Sequence, residues 1–233
     1  MLLVSRQKPA YLKLLSWVLS LTVLLPAGSA ACINNMGAKS STASLKDSLF
    51  RACSGGDVAE VENLLNTGMD VNVREEEGET PLMYAAVEGK TDVVRVLVDR
   101  GADLNAESLN KETALARAVG MSRYETVNLL LDRGASIERN TDGGGPPLIY
   151  AAGRNDTTMI TLLIQRGAKI NGFDDEGDSP LTAAIKRRAS PEAVRLLLSA
   201  GADVNIRNRR GDTPLVIAER NGDENILRLL KQN

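Results

Sequence analysis

The strongest constraint in this 233-residue sequence is a rhythm. Leu82, Leu115, Leu148, Leu181 and Leu215 recur at spacings of 33, 33, 33 and 34 residues, and Gly68, Gly101, Gly134, Gly167 and Gly201 keep the same beat. Each leucine belongs to a related entrance: TPL at Thr80, TAL at Thr113, PPL at Pro146, SPL at Ser179 and TPL at Thr213. Proline is tolerated at the first helical position, where its missing N–H would have no intrahelical partner, and a preceding Ser or Thr can cap the helix. In the second unit Leu82, Ala85 and Ala86 give a first helix a small apolar face, and Val93, Val94, Val96 and Leu97 give a second helix another. The glycine then closes the second helix in the left-handed conformation. The unit therefore reads helix, turn, helix, glycine, extended arm, and no single unit can bury its apolar face alone.

With TPLMYAA at Thr80, GADLN at Gly101 and this period, the chain resembles the ankyrin repeat family from about Ser44 to Asn233. The resemblance implies an all-α repeat solenoid of about six stacked helix pairs with short β-hairpin arms. Their expected boundaries are about 44–77, 78–110, 111–143, 144–176, 177–210 and 211–233. The family entrance is usually Thr-Pro-Leu-His, yet this chain contains no histidine; Met83, Ala116, Ile149, Thr182 and Val216 stand in that place. Loss of the histidine hydrogen bonds predicts lower stability rather than another fold. At the junction of repeats three and four, TDGGGPPL replaces the threonine cap by Pro146 and adds Gly143, Gly144 and Gly145, which predicts a hinge. Repeat five carries one extra residue in KRRASP, lengthening the turn between its helices.

Ahead of the repeats lie a basic stretch ending at Lys13, an apolar run LLSWVLSLTVLL from Leu14 to Leu25, and the small-residue segment PAGSAAC. The apolar run is shorter than the ~20 residues needed to span a bilayer core, so residues 1–31 are expected to be a cleaved secretory signal. SAAC resembles a bacterial lipoprotein cleavage box, although Ser29 stands where that motif usually has an aliphatic residue, and Cys32 is the candidate lipidation site. Ordinary cleavage at the same segment is the alternative. Residues 32–43 are expected to be a flexible tether, and the exported domain to be periplasmic. Met36 could instead start a shorter cytosolic form. A disulfide between Cys32 and Cys53, the only two cysteines, stays open on spacing alone.

Composition removes several functions. Net charge is −2, and the basic leader contributes Arg6, Lys8 and Lys13 without an acid, so the remainder is more acidic and generic attraction to nucleic acid is excluded. Without histidine there is no Ser-His-Asp or Cys-His arrangement and no histidine metal ligand. The acidic DDEGDSP at Asp174 lacks the alternating carboxylates and distal glutamate of an EF-hand loop, and no glycine-rich segment has phosphate-loop spacing. No enzyme, cofactor or metal is expected.

What remains is a surface for a protein partner. By resemblance, arm tips and first helices line a concave face, and Tyr84, Glu88, Met121, Tyr150, Arg154, Phe173, Asp174, Lys186, Arg187, Arg207, Arg209 and Arg220 are the candidate binding residues. Aromatic and arginine side chains concentrate interface energy, which favours Phe173 beside Gly172, and the tyrosines Tyr84 and Tyr150 that share one repeat position. Phe50 and Tyr124 read as core or back-face residues. The acidic REEEGE tip opposes a basic far end, KRR at Lys186 and IRNRRG at Ile206, an arrangement able to orient a partner. Resemblance to exported bacterial ankyrin proteins implies a monomeric binder, in its most specific version an immunity-type inhibitor of a toxic effector such as a phospholipase. The alternatives are an accessory to a peroxide-defence enzyme and a secreted, host-directed binder.

Overall fold

A computed structural model describes residues 37–139 and 145–232, with side chains from Ser44 onward. The expected signal peptide and Cys32 lie outside the described residues, and unit boundaries leave residues 40–233 as one compact body. Twelve helices follow one another among the described residues: α1 (Gly37–Gly55), α2 (Val58–Asn66), α3 (Pro81–Glu88), α4 (Thr91–Asp99), α5 (Ala114–Gly120), α6 (Tyr124–Asp132), α7 (Pro147–Gly153), α8 (Thr157–Gln165), α9 (Pro180–Lys186), α10 (Pro191–Ser199), α11 (Pro214–Asn221) and α12 (Glu224–Lys231). The first helix starts at Gly37, inside the segment expected to be a tether, because AKSSTASLKD carries no helix breaker.

From α2 onward the helices span only 7–9 residues. Isolated helices of this length are marginal in water, so packing must hold them. First helices α3, α5, α7, α9 and α11 touch in succession, and each packs on the second helix of its own unit. Leu82, Leu115, Leu148 and Leu181 are at most 1% exposed at these seams, whereas Leu215 in α11, which packs on α9 and α12 among the described helices, is only half-buried. Val93, Val94 and Leu97 are fully buried; Val96 packs against the core from its edge. The place of the missing histidine is filled by buried Met83, Ala116 and Ile149, and Thr182 keeps one hydrogen bond there, hydroxyl to hydroxyl with Ser179 at 3.0 Å.

The entrances form as expected. The side-chain oxygens of Thr80, Thr113, Ser179 and Thr213 each accept the backbone N–H three residues on, and Pro146 supplies no such bond. The exit glycines Gly68, Gly101, Gly134, Gly167 and Gly201 all adopt φ between +86° and +91°. The extra residue of repeat five lengthens its turn, and Ser190 caps α10 while its N–H and hydroxyl both donate to Asn155 Oδ1 at 2.8 Å.

The arms are not β-hairpins: no strand occurs among the described residues. Each arm whose turn lies among the described residues closes on a single tight turn, as where Ser108 N–H donates to Glu112 O at 3.0 Å, and two described pairs of neighbouring arms share one backbone bond each, Leu109 N–H to Glu77 O and Arg209 N–H to Glu176 O. One bond per pair cannot build a ladder. Side chains supply the rest: Asn72, Asn105 and Asn171 each accept a backbone N–H of the next arm, from Asp103, Ser136 and Asp203. Glu138 takes this role at the junction of repeats three and four, accepting from Lys169 N–H at 2.9 Å.

At that junction Gly145 has a packing reason of its own, because a Cβ there would lie 2.7 Å from Asp174 Cβ. Gly143 and Gly144, on which the hinge expectation also rests, lie outside the described residues. Lys111 reveals a different irregularity: it holds φ +62° at the turn position where Gly78, Gly177 and Gly211 stand in other repeats. A left-handed non-glycine residue is strained by ~1–2 kcal/mol, partly offset by the unfolded-state entropy that glycine adds. Lys111→Gly is therefore expected to stabilise the domain by about 0.5–1 kcal/mol, visible as a higher urea midpoint.

Cys53 is a free thiol, fully buried in the core. Burial pushes its pKa from 9.0 up to about 12. A native thiol that stays protonated while an unfolded one ionises contributes stability that is present below pH 9 and lost as pH rises through about 12. Ellman's reagent at pH 8 is expected to leave Cys53 unmodified in the folded domain and to label it once the domain is unfolded.

Candidate protein-binding face

Two rows of side chains run across the first helices. Tyr84, Arg117 and Tyr150 share one repeat position, and Glu88, Met121, Arg154 and Arg187 share another, one turn further on at the helix ends. Arms supply a third row in which Phe173 of repeat four is followed by Arg207 of repeat five. The sequence candidates thus fall along one face, but they differ in what they are free to do.

Several are committed to the fold. Lys186 Nζ donates to Glu176 Oε2 at 2.5 Å and to Asp178 Oδ2 at 2.7 Å; burial opposes its charge, but these two bonds leave its pKa raised, and Lys186 in turn holds the Glu176 carboxyl below its ordinary value. Arg220 is likewise paired with Asp212 at 2.7 Å. Asp174 turns inward: its Oδ1 accepts the backbone N–H groups of Glu176 and Asp178 at 2.9 and 2.8 Å, which shapes its own arm. Burial raises its pKa against those two bonds. Its buried counterpart Asn208 does the same with the N–H groups of Arg210 and Asp212, and buried Ser108 accepts one such bond, from Glu112. These three candidates therefore also support the arms, while the side chains of Lys186 and Arg220 stay 39% and 64% exposed.

Tyr84 divides its surface. Its ring meets buried Phe50 edge-on at 5.0 Å, and its hydroxyl donates to Glu75 Oε2 at 2.6 Å; burial, then this bond, raises its pKa. Tyr150 is half-buried beside Gly120, with the Arg154 guanidinium 5.7 Å from its ring centroid. Tyr124 is exposed near the turn, its hydroxyl on Asp156, so it belongs to neither the core nor the arm rows.

Glu88, Met121, Arg154, Phe173, Arg187, Arg207 and Arg209 remain open to solvent, Phe173 at 54%. Leu109, at 75%, is the most exposed large apolar residue among those described, and sequence reasoning passed over it. The signal was present: Leu109 occupies the arm position that holds Glu76, Asp175 and Arg209 in other repeats. Arg117 was missed as well. It replaces tyrosine in its row and pairs with Glu79 of the preceding entrance and, through Nε at 3.2 Å, with Glu112.

A family model of ankyrin repeats in three copies matches residues 49–141 and 138–208. The chain belongs to the ankyrin repeat family. An ankyrin repeat stack is a protein-binding module, and Glu88, Met121, Arg154, Phe173, Arg187 and Arg207 are the exposed members of the rows above. Among solved structures, a chain from the complex of the predatory endopeptidase Bd0816 of Bdellovibrio bacteriovorus with immunity protein Bd3460 is 29% identical, with a TM-score of 0.71 over 80% of this chain and 97% of that one. An ankyrin repeat domain from Acinetobacter baumannii AYE, ABAYE2397, is 28% identical with a TM-score of 0.73, covering 79% of this chain and 96% of its own. The ankyrin repeat protein EF0377 matches equally, at 28% identity and a TM-score of 0.73. No curated protein matches the sequence. Among the described residues, no three His, Cys, Asp or Glu side chains gather as a metal site, and no helix is long and apolar enough to cross a membrane.

Proposed function

We propose that this ankyrin repeat protein is an exported, non-catalytic inhibitor that protects its own cell by covering a toxic hydrolase in the periplasm. The observation that carries this reading is its likeness, across four-fifths of the chain, to a structure from an endopeptidase–immunity protein complex. The open side chains along the first helices and arms support it, because the fold leaves them exposed to solvent. The leader of residues 1–31 would deliver the domain to the periplasm, and Cys32 would carry a lipid that keeps it at the membrane where an incoming toxin arrives.

The test is protection. A hydrolase encoded beside this chain, directed to the periplasm of a sensitive host, should kill cells alone and spare them when the full chain is co-produced. A form started at Met36 should give no protection, since it would stay in the cytosol. Full protection by that form would refute the export element, and killing despite an exported, folded domain would refute inhibition. Labelling with a fatty-acid analogue that disappears in Cys32→Ser would support the lipid anchor, whereas unlabelled wild-type protein would remove it.

A further inference from the structure

Two sets of cations on this molecule contrast, alongside exposed arginines elsewhere such as Arg95, Arg100 and Arg195 that also have no ion pair among the described residues. On the second-helix side and the early arms, Arg133 pairs with Asp99, Arg166 with Asp132 and Arg139 with Glu107, each with an acid one repeat earlier. On the face of repeats four and five, Arg154, Arg187, Arg207 and Arg209 are exposed and have no ion pair among the described residues. The nearby acids are already engaged: Glu176 and Asp178 with Lys186, Asp212 with Arg220, Asp174 with backbone N–H groups. Exposed Asp175 on the same arm is the exception.

Three of these arginines are also held in place. Arg187 lies across Gly153, where a Cβ would stand 3.1 Å from its Cδ; Arg209 lies across Gly177, where a Cβ would stand 3.2 Å from its Cγ; Arg154 sits over the Tyr150 ring. Side chains fixed before binding lose less entropy when they engage. Phe173, exposed in the arm row one repeat before Arg207, adds an apolar anchor of the kind that dominates interface energy. The other end of the face is acidic, with Glu76 and Glu88 exposed.

We propose that the face of repeats four and five is built to take an acidic segment of a protein partner, its carboxylates on Arg154, Arg187, Arg207 and Arg209 and an apolar side chain against Phe173. This deepens the inhibitor reading and rests on its binding face. The acidic end at repeats one and two then fixes the direction in which the partner lies, since reversal would set like charges together.

Selection of random displayed peptides on the full chain tests the proposal without a known partner. Recovered peptides are expected to be rich in Asp and Glu with an apolar residue among them. Their binding should weaken about tenfold or more in Arg187→Glu/Arg209→Glu and by much less in Arg133→Glu/Arg166→Glu, which changes the same charge on the opposite side. Both variants are checked for wild-type circular dichroism and melting. Peptides without acidic enrichment, or equal weakening in the two variants, would overturn the proposal. If peptides instead depend on Phe173 and Tyr84 but not on the arginines, the acidic preference falls while the binding face stands.

Discussion

Leu181→Ala will lower the stability of the domain by about 3 kcal/mol, while Leu215→Ala will lower it by about 1 kcal/mol. The two leucines occupy one repeat position and follow one motif, so their local helices and caps are alike. Their surroundings are not. Leu181 is fully buried in α9, which is packed between α7 and α11; truncation there removes buried methyl groups and leaves a cavity that two rigid neighbours cannot close. Leu215 sits in α11, which packs on α9 and α12 among the described helices and leaves it only half-buried, so the same truncation loses only part of the transfer energy and water fills the gap. Urea titration followed by circular dichroism measures the difference as two shifts of midpoint. Equal losses at the two sites would show that stability in this stack does not depend on having a neighbour on each side. A second transition in Leu181→Ala would show that the stack divides at the weakened seam, since repeat arrays lose cooperativity when one interface fails.

The fold was legible because its demands repeat. A leucine at each entrance, a hydroxyl to cap it and a glycine at each exit are requirements of one helix pair, and every pair states them again. The arms were less legible: an extended segment after glycine suggests a hairpin, but only the structure shows that Asn72, Asn105, Glu138 and Asn171 link the arms through side chains instead of a backbone ladder. The binding face was legible as a set of positions, but the bonds that its side chains make within the fold were not. Whether a cation is free depends on where an arm folds back, and Lys186 meets Asp178 because the entrance turn returns the acid to the end of the same helix. Comparing repeats would have exposed this. The entrance acid and the helix-end cation occur together at Asp178 and Lys186 and again at Asp212 and Arg220, and glycine stands at both positions, Gly145 and Gly153, in repeat four.

That pairing leads to the second large effect: Asp178→Ala will destabilise the domain by about 3 kcal/mol, far more than an ordinary surface ion pair is worth. Asp178 is 2% exposed, and its two oxygens serve different elements. Oδ2 accepts from Lys186 Nζ at the end of α9 at 2.7 Å, and Oδ1 accepts from Asn208 Nδ2 of the next arm at 2.8 Å. Removing the carboxylate leaves the buried Asn208 amide without its acceptor, a penalty larger than the net worth of the bond itself. Lys186 suffers less, because it keeps Glu176 and reaches solvent. Asn208 cannot be deleted outright as a control, since its Oδ1 also accepts the Arg210 and Asp212 N–H groups that shape the arm. Serine keeps the second of these bonds, because Ser108 Oγ accepts the matching N–H, that of Glu112, at the equivalent position three arms earlier. In Asp178→Ala/Asn208→Ser the orphaned amide is gone, so the double variant should be less unstable than the sum of the two single losses by about 1 kcal/mol or more. Additive losses would mean that Asp178 acts through Lys186 alone, and that the arm of repeat five is held by its backbone and not by the acid at its helix entrance.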